Sequence, residues 1–332
     1  MSMRGAPLAA LLWAALLLVS SCAPPTPKAA PAPTHAAPAR PVGPPTITFR
    51  YFAAPVYYRD EVVVLMLHDI APHPQPYTDE ITPATFQADL ELLLRDHFNV
   101  IPASLLAKFL EHQAQVPPNA VLLTFDDGYQ GVYTYGFPLL ERYRVPATCF
   151  IITGFVQGPH QKPWTMSWAE LERMYASGLV SLQSHTYDSH GAVRSGPATT
   201  GPALTDRVWD PATRSYETPA HYRQRIGQDL ARARRELEQH LPGARVDMFA
   251  YPFGAYDPTV IRILRRDGYR FAFTTYGGAA ASQTDPYRIF RINVGTWHTT
   301  PQALVAAARD TGIAMAAHPG FQAPVRVVPS WR

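Results

Sequence analysis

The chain has 332 residues and a formal charge of +3 at pH 7. So small and dispersed a charge argues against nucleic acid as a partner. Beyond a low-complexity N-terminal region, about 285 residues remain, enough for one large α/β domain with a substantial core.

Residues 1–21 read as an export signal: Arg4 supplies the positive start, and Ala6 to Val19 form an apolar stretch too short and too early for a spanning helix. It ends in Val19-Ser20-Ser21-Cys22, the pattern of a lipoprotein signal in which Cys22 is lipidated. The expectation is a membrane anchor at Cys22 on the outer membrane, facing the periplasm. Residues 22–45 hold nine prolines and no apolar periodicity, so they form a semi-rigid tether with polyproline II character. Residues 46–332 are the folded domain. Cys149, in the apolar run Ala147-Thr-Cys-Phe-Ile-Ile152, is left without a disulfide partner and reads as core.

Short apolar runs then alternate with helical patterns, the signature of βα units and a mainly parallel sheet. Val62 to Leu67 is a strand that ends at His68-Asp69. Thr82-Pro83 opens a helix whose apolar face is Phe86, Leu90, Leu93 and Leu94. Ser104 to His112 is a shorter helix, and Ala120 to Phe125 a buried strand running into Asp126-Asp127-Gly128. A helical pattern near Tyr133 to Tyr143 precedes a strand at Thr148 to Thr153. Ser167 and Glu170 form a capping box for a helix that Gly178 closes. Leu179 to Gln183 is strand-like and leads to Ser184-His185.

A polar loop of some thirty residues precedes a long helix, Ala220 to His240. Its arginines between Arg223 and Arg235 are interleaved with Asp229, Glu236 and Glu238, as on a solvated face. Arg245 to Ala250 is a strand ending at Tyr251-Pro252-Phe253-Gly254. Asp257-Pro258 caps a helix stopped by Gly268, and Tyr269 to Phe273 and Arg288 to Val294 are strands. A helix from Pro301 and a last strand, Gly312 to Ala317 before His318, complete the pattern. The fold class is α/β, a distorted (β/α) barrel of about seven strands, with its polar clusters converging at the strand C-termini.

Two adjacent carboxylates at a glycine turn are costly if both stay charged and unpaired, and a metal ion would resolve that cost. A turn or helix cap is the plainer alternative for Asp-Asp-Gly. His185 and His190 suit one metal if the intervening segment is a loop, and otherwise are two surface histidines. Two histidines and one aspartate would leave open positions for water and substrate, as a catalytic zinc site requires.

Thr124-Phe-Asp-Asp-Gly128, Ser184-His-Thr-x-x-x-His190 and Ala250-Tyr-Pro-Phe-Gly254 together resemble the polysaccharide deacetylases with a NodB-homology domain, carbohydrate esterase family four. The five-residue histidine step most resembles the exported poly-β-1,6-N-acetylglucosamine N-deacetylases of biofilm systems. The resemblance implies a hydrolase that removes N-acetyl groups from an exopolysaccharide through a metal-held water. Asp127, His185 and His190 would hold the metal, with Zn2+ the default and Ni2+ or Co2+ alternatives. Asp126 would be the base and the Tyr129 N–H an oxyanion donor. His68 would be the acid, with His318 as the alternative from a late strand. Tyr251, Pro252 and Phe253 would wall the sugar subsite, and Asp69 would orient the acid or nearby backbone.

Three departures stand out. Ala250 occupies the place of an arginine that contacts the base in the wider family. No Asp-Trp pair that would tune the acid is evident. The chain also reads as a version without the additional C-terminal domain of outer-membrane relatives, so export machinery is a possible partner for polymer handling. Other readings are a deacetylase of chitin oligomers or peptidoglycan, a non-catalytic glycan-binding lipoprotein, and a structural metal-binding lipoprotein.

Overall fold

A computed structural model describes residues 43–318. The signal segment, Cys22 and nearly all of the tether lie outside the described residues. Within them, the backbone builds a nine-stranded sheet wrapped by helices. Its strands are β1 (Glu61–Leu67), β2 (Asn99–Val100), β3 (Ala120–Phe125), β4 (Ala147–Ile151), β5 (Val180–Ser184), β6 (Met248–Ala250), β7 (Phe271–Phe273), β8 (Ala279–Ala281) and β9 (Ile292–Asn293).

The order β7-β6-β5-β4-β3-β1-β8 is parallel except for β8, which runs antiparallel against Val62 and its neighbours. β2 joins the start of β3, and β9 runs parallel to the C-terminal half of β1. The stretch before β9 also bridges the far edge, where Ile289 pairs with Phe273 beyond β7. A single segment, Ile289 to Asn293, therefore spans the gap between β7 and β1 and closes the barrel.

Every residue of β1 is buried, as expected of a parallel strand covered on both faces. Val63, Leu65 and Leu67 pack outward in the cluster beneath the helices, whereas Val62 and Val64 meet Leu122, Phe150, Phe273 and Ile289 in a second cluster. That alternation follows from the two-residue period of a strand.

The helices begin where their capping residues stand. Thr82 accepts from the Thr85 amide ahead of α1 (Pro83–Arg95), and α2 is Ala103–Leu110. The segment Val132–Gly136 is a π-helix that runs into α3 (Phe137–Tyr143), and α4 is a single turn (Thr153–Val156). Ser167 and Glu170 form the expected capping box of α5 (Trp168–Ala176). The long α6 is Pro219–His240, and Asp257 caps α7 (Pro258–Arg266) through the Thr259 and Val260 amides. On α6 the arginines make the expected i,i+4 pairs, Arg232 with Glu236 and Arg234 with Glu238. The thirty-residue loop before it carries two short hairpins, at Ala192–Arg194 with Thr200–Pro202 and Trp209–Asp210 with Ser215–Tyr216.

One expected element is corrected. Gly312 to Ala317 is not a strand: α8 runs from Pro301 to Ala316, and this segment is its end. The alanines and methionine there are strong helix formers. Gly312 is tolerated within the helix because it packs on Tyr58, whose ring would lie 2.3 Å from any added Cβ.

Candidate active site

β3 delivers Asp126 and Asp127 to the C-terminal rim of the sheet, both buried. The chain turns there through two successive left-handed residues, Asp127 at φ +72° and Gly128 at φ +82°. The turn ends the strand while the two carboxylates point in different directions, and a non-glycine residue in that region marks local strain of the kind stored at functional sites.

Asp126 faces Arg291, on the segment that closes the barrel. Nη1 and Nη2 donate to Oδ1 and Oδ2 at 2.7 and 2.8 Å, a bidentate pair with both side chains buried. The same guanidinium donates through Nε to the Thr274 carbonyl at 2.8 Å. Burial alone would push the Asp126 carboxyl up. The Arg291 charge, helped by nearby imidazole, outweighs it and holds the group below the ordinary carboxylate range. A carboxylate in this setting is an ionised proton acceptor at neutral pH. Ala250 cannot supply the charge of the arginine it replaces; Arg291 supplies it from the closing segment.

Asp127 faces the two histidines. Its Oδ1 lies 3.3 Å from His185 Nε2 and 3.1 Å from His190 Nε2. Ligand atoms about 2.0 Å from one tetrahedral centre are about 3.3 Å apart, so these separations fit a shared metal. Oδ1 is buried and accepts no hydrogen bond, which leaves it available as a ligand. His185 Nδ1 lies 2.8 Å from the Ala250 carbonyl. A carbonyl only accepts, so Nδ1 carries the proton and Nε2 presents its lone pair toward Asp127. Burial pushes the Asp127 carboxyl up, yet the two imidazoles more than offset this and hold it well below the ordinary range. Burial pushes His190 down, and Asp127 reverses that to leave it raised. Among the described residues, Asp127, His185 and His190 are the group whose geometry fits a metal ion.

These residues share one open cleft of about 710 Å³ with His68, Tyr129 and Phe253. His68 follows β1 and is half-buried; its Nδ1 has no hydrogen bond and lies 4.0 Å from Asp79 Oδ2. Asp79 in turn accepts from Asn293 Nδ2 at 2.9 Å, so it is placed to orient a charged His68. Asp79 was absent from the sequence reading. Asp69, beside His68 in the cleft, orients nearby backbone: its carboxylate accepts from the Ile70 amide at 2.8 Å and from the Gly131 amide, tying the end of β1 to the turn after Asp127.

His318 lies exposed just past α8 and does not line the cleft. Its expected place at a late strand end disappears with that strand. Of the three proposed wall residues, Tyr251 and Pro252 are buried; Tyr251 still lines the cleft, while its hydroxyl donates to the Tyr287 carbonyl. Phe253 alone turns outward, at φ +57° and with its ring 4.6 Å from that of His190. Tyr129 stacks on Trp164 at 4.6 Å, and burial together with Asp127 and Asp69 pushes its phenol up. Across the cleft, Tyr77 is 91% exposed and pairs edge-on with Trp297 at 5.5 Å.

A barrel rim bearing a paired carboxylate beside an aspartate and two histidines has the layout of a metal-assisted hydrolase. The family profile of the polysaccharide deacetylases matches residues 113–272. A poly-β-1,6-N-acetyl-D-glucosamine N-deacetylase of Escherichia coli (strain K12) is 32% identical over 185 residues, 51% of this chain and 27% of its own. The enzyme of that name from Staphylococcus epidermidis is 26% identical over 215 residues, 64% of this chain and 68% of its own. The deacetylase domain of BpsB from Bordetella bronchiseptica superposes with a TM-score of 0.63 at 28% identity, covering 70% of this chain and 96% of that domain. IcaB from Ammonifex degensii superposes with a TM-score of 0.60 at 28% identity, over 75% and 97%. The fold is that of the NodB-type polysaccharide deacetylase domain. It spans about a quarter of the length of the Escherichia coli relative that it matches.

Proposed function

We propose that the chain is a metal-dependent N-deacetylase of poly-β-1,6-N-acetylglucosamine. The observation that carries this reading is the union, on one cleft floor, of an Arg291-held carboxylate with three inward-facing metal-ligand atoms. The names of the relatives in Escherichia coli and Staphylococcus epidermidis support the polymer. The exposed rings of Phe253, Tyr77 and Trp297 offer flat surfaces for the apolar faces of sugar rings.

Asp127, His185 and His190 would hold the metal, zinc by the donor set, with nickel and cobalt also accommodated. When bound, it would supply Lewis-acid polarisation of the acetyl carbonyl and an acidified water. Asp126, kept ionised by Arg291, takes the proton from the attacking water as its oxygen bonds to the acetyl carbon. The Tyr129 N–H would donate to the developing oxyanion. His68, oriented by Asp79, gives a proton to the amine as the C–N bond breaks, and acetate and a free amino sugar leave. The domain, from about residue 46, is displayed from a lipid at Cys22 on the outer membrane facing the periplasm, beside the machinery that exports the polymer.

The test follows free amine from β-1,6-linked N-acetylglucosamine oligomers with the full chain loaded with zinc, cobalt or nickel. Metal-dependent release that disappears in Asp126→Asn is the expected result. Release from β-1,4 oligomers alone overturns the substrate, and no release with metal bound overturns the enzyme.

A further inference from the structure

The two histidines of the metal cradle are held in different ways. His185 belongs to the barrel: its amide donates to the Ile151 carbonyl at 2.9 Å, and its Nδ1 is fixed on Ala250. His190 hangs at the far end of a loop, residues 186–189, which includes Thr186 at φ +76°. The position of its Nε2 depends on what holds that loop.

The loop backbone is held from two sides. Its carbonyls face α4, where the Thr153 amide donates to Thr186 O at 3.1 Å and the Gly154 amide to Tyr187 O at 2.9 Å. Its amides face α6, where Asp229 accepts from Tyr187 N–H through Oδ1 at 3.0 Å and from Asp188 N–H through Oδ2 at 2.7 Å. The Ser189 hydroxyl donates to the same carboxylate. Asp229, which the sequence places on a solvated helix face, is instead a half-buried acceptor of three hydrogen bonds from the residues between the histidines. Charge-assisted bonds of this kind are the strong ones.

We infer that Asp229 is a positioning residue for the metal site: it clamps the loop of the long histidine step and so places His190 opposite Asp127. The inference rests on the metal reading above. An aspartate is required because both oxygens accept. An asparagine would have to turn its NH2 toward one of the two amides, and that hydrogen bond would become a donor–donor contact.

The test is a cobalt(II) titration of the full apo chain, followed by visible absorption, with the apo thermal midpoint measured alongside. Residues that orient metal ligands typically contribute about 10- to 100-fold in metal affinity. Asp229→Asn should weaken cobalt binding by about that factor, with the apo midpoint lowered but the chain still folded. In a His190→Ala background the same change should have no further effect, because the clamp acts through that histidine. Unchanged affinity in folded Asp229→Asn, or an equal loss in both backgrounds, overturns the inference. Should Asp229→Asn not fold, Ser189→Ala removes one donor and should still weaken cobalt binding several-fold; wild-type affinity there overturns it equally. A wild-type chain that binds no cobalt overturns the metal reading itself, which separates the two failures.

Discussion

Replacing Arg291 by methionine removes a guanidinium that makes two hydrogen bonds to Asp126 and one to the Thr274 carbonyl, all within a buried site. Removing one partner of a buried ion pair typically costs about 3–5 kcal/mol, because the remaining charge is left without compensation. Set against a typical domain stability of about 5–15 kcal/mol, that is a large share. The expected result in urea unfolding of the apo chain is a loss in that range for Arg291→Met. Asp126→Asn should also destabilise. The double variant should recover most of the loss, since replacing both partners of a buried pair is often near neutral. A loss under about 1 kcal/mol for Arg291→Met, or a double variant at the sum of the singles, would refute the account of this pair as a coupled unit.

Activity gives an independent check. Arg291 holds the Asp126 carboxyl below its ordinary range, so the base is ionised to lower pH than a bare buried carboxyl would be. Activity that requires ionised Asp126 falls as pH drops through its pKa. Arg291→Lys keeps a charge but loses the planar fork, so the Asp126 pKa rises and the acid limb of the pH–rate profile moves to higher pH. An unmoved limb, in a variant that folds, removes Arg291 from the tuning of the base.

Other expectations concern the acid, the turn and the core. His68→Ala should lower kcat by about 10²- to 10⁴-fold at unchanged cobalt affinity, while His318→Ala should leave turnover as it is; the reverse pattern would exchange the assignments. Gly131→Ala places a Cβ 2.1 Å from the Ile70 carbonyl oxygen and 2.3 Å from Asp69 Oδ1. It should destabilise by about 2 kcal/mol or more, read as a lower urea midpoint. Asp89 is buried on α1, and burial pushes its carboxyl up to about 7. Its raised folded pKa means that folding is penalised once the unfolded carboxyl ionises, from near pH 4 upward, and fully so above about pH 7. Asp89→Asn should therefore raise stability at pH 8 by about 4 kcal/mol and change it little at pH 4. Equal effects at the two pH values would contradict that placement.

The strands and the local motifs were legible because their signals are local. Apolar runs of strand length ending in polar residues mark β1, β3 and β4. The caps at Thr82, Ser167 and Asp257 mark helix starts through side chains that bond amides two or three residues on. The helix from Pro301 was legible, but its end reads as a strand because Gly312 to Ala317 is a short apolar run, which fits strand and helix alike. Helix propensity and continuity with the turns from Pro301 decide it, with Gly312 seated against Tyr58. Asp79 gave no signal, since it sits in a polar loop and acts through a contact with a histidine eleven residues earlier. Asp229 was hidden by its neighbours, because the same helix carries real surface ion pairs.

Arg291 shows why a motif can be absent while its charge is present. It lies 165 residues after its partner, so no spacing rule connects them. A trace did exist: one arginine inside the apolar run Ile289-Phe-Arg-Ile292 cannot be buried unless an acid meets it. The barrel determines which acid. Ala250, at the position of the expected arginine, ends β6, and its carbonyl already fixes His185. The segment that closes the barrel reaches the same rim from the side of β1, where Ile292 pairs with Leu65, and brings Arg291 to Asp126. What the base needs is a fixed positive charge in the plane of its carboxylate. In a closed barrel any strand that reaches the rim can deliver it, so the requirement lies in the position of the charge and not in the order of the chain.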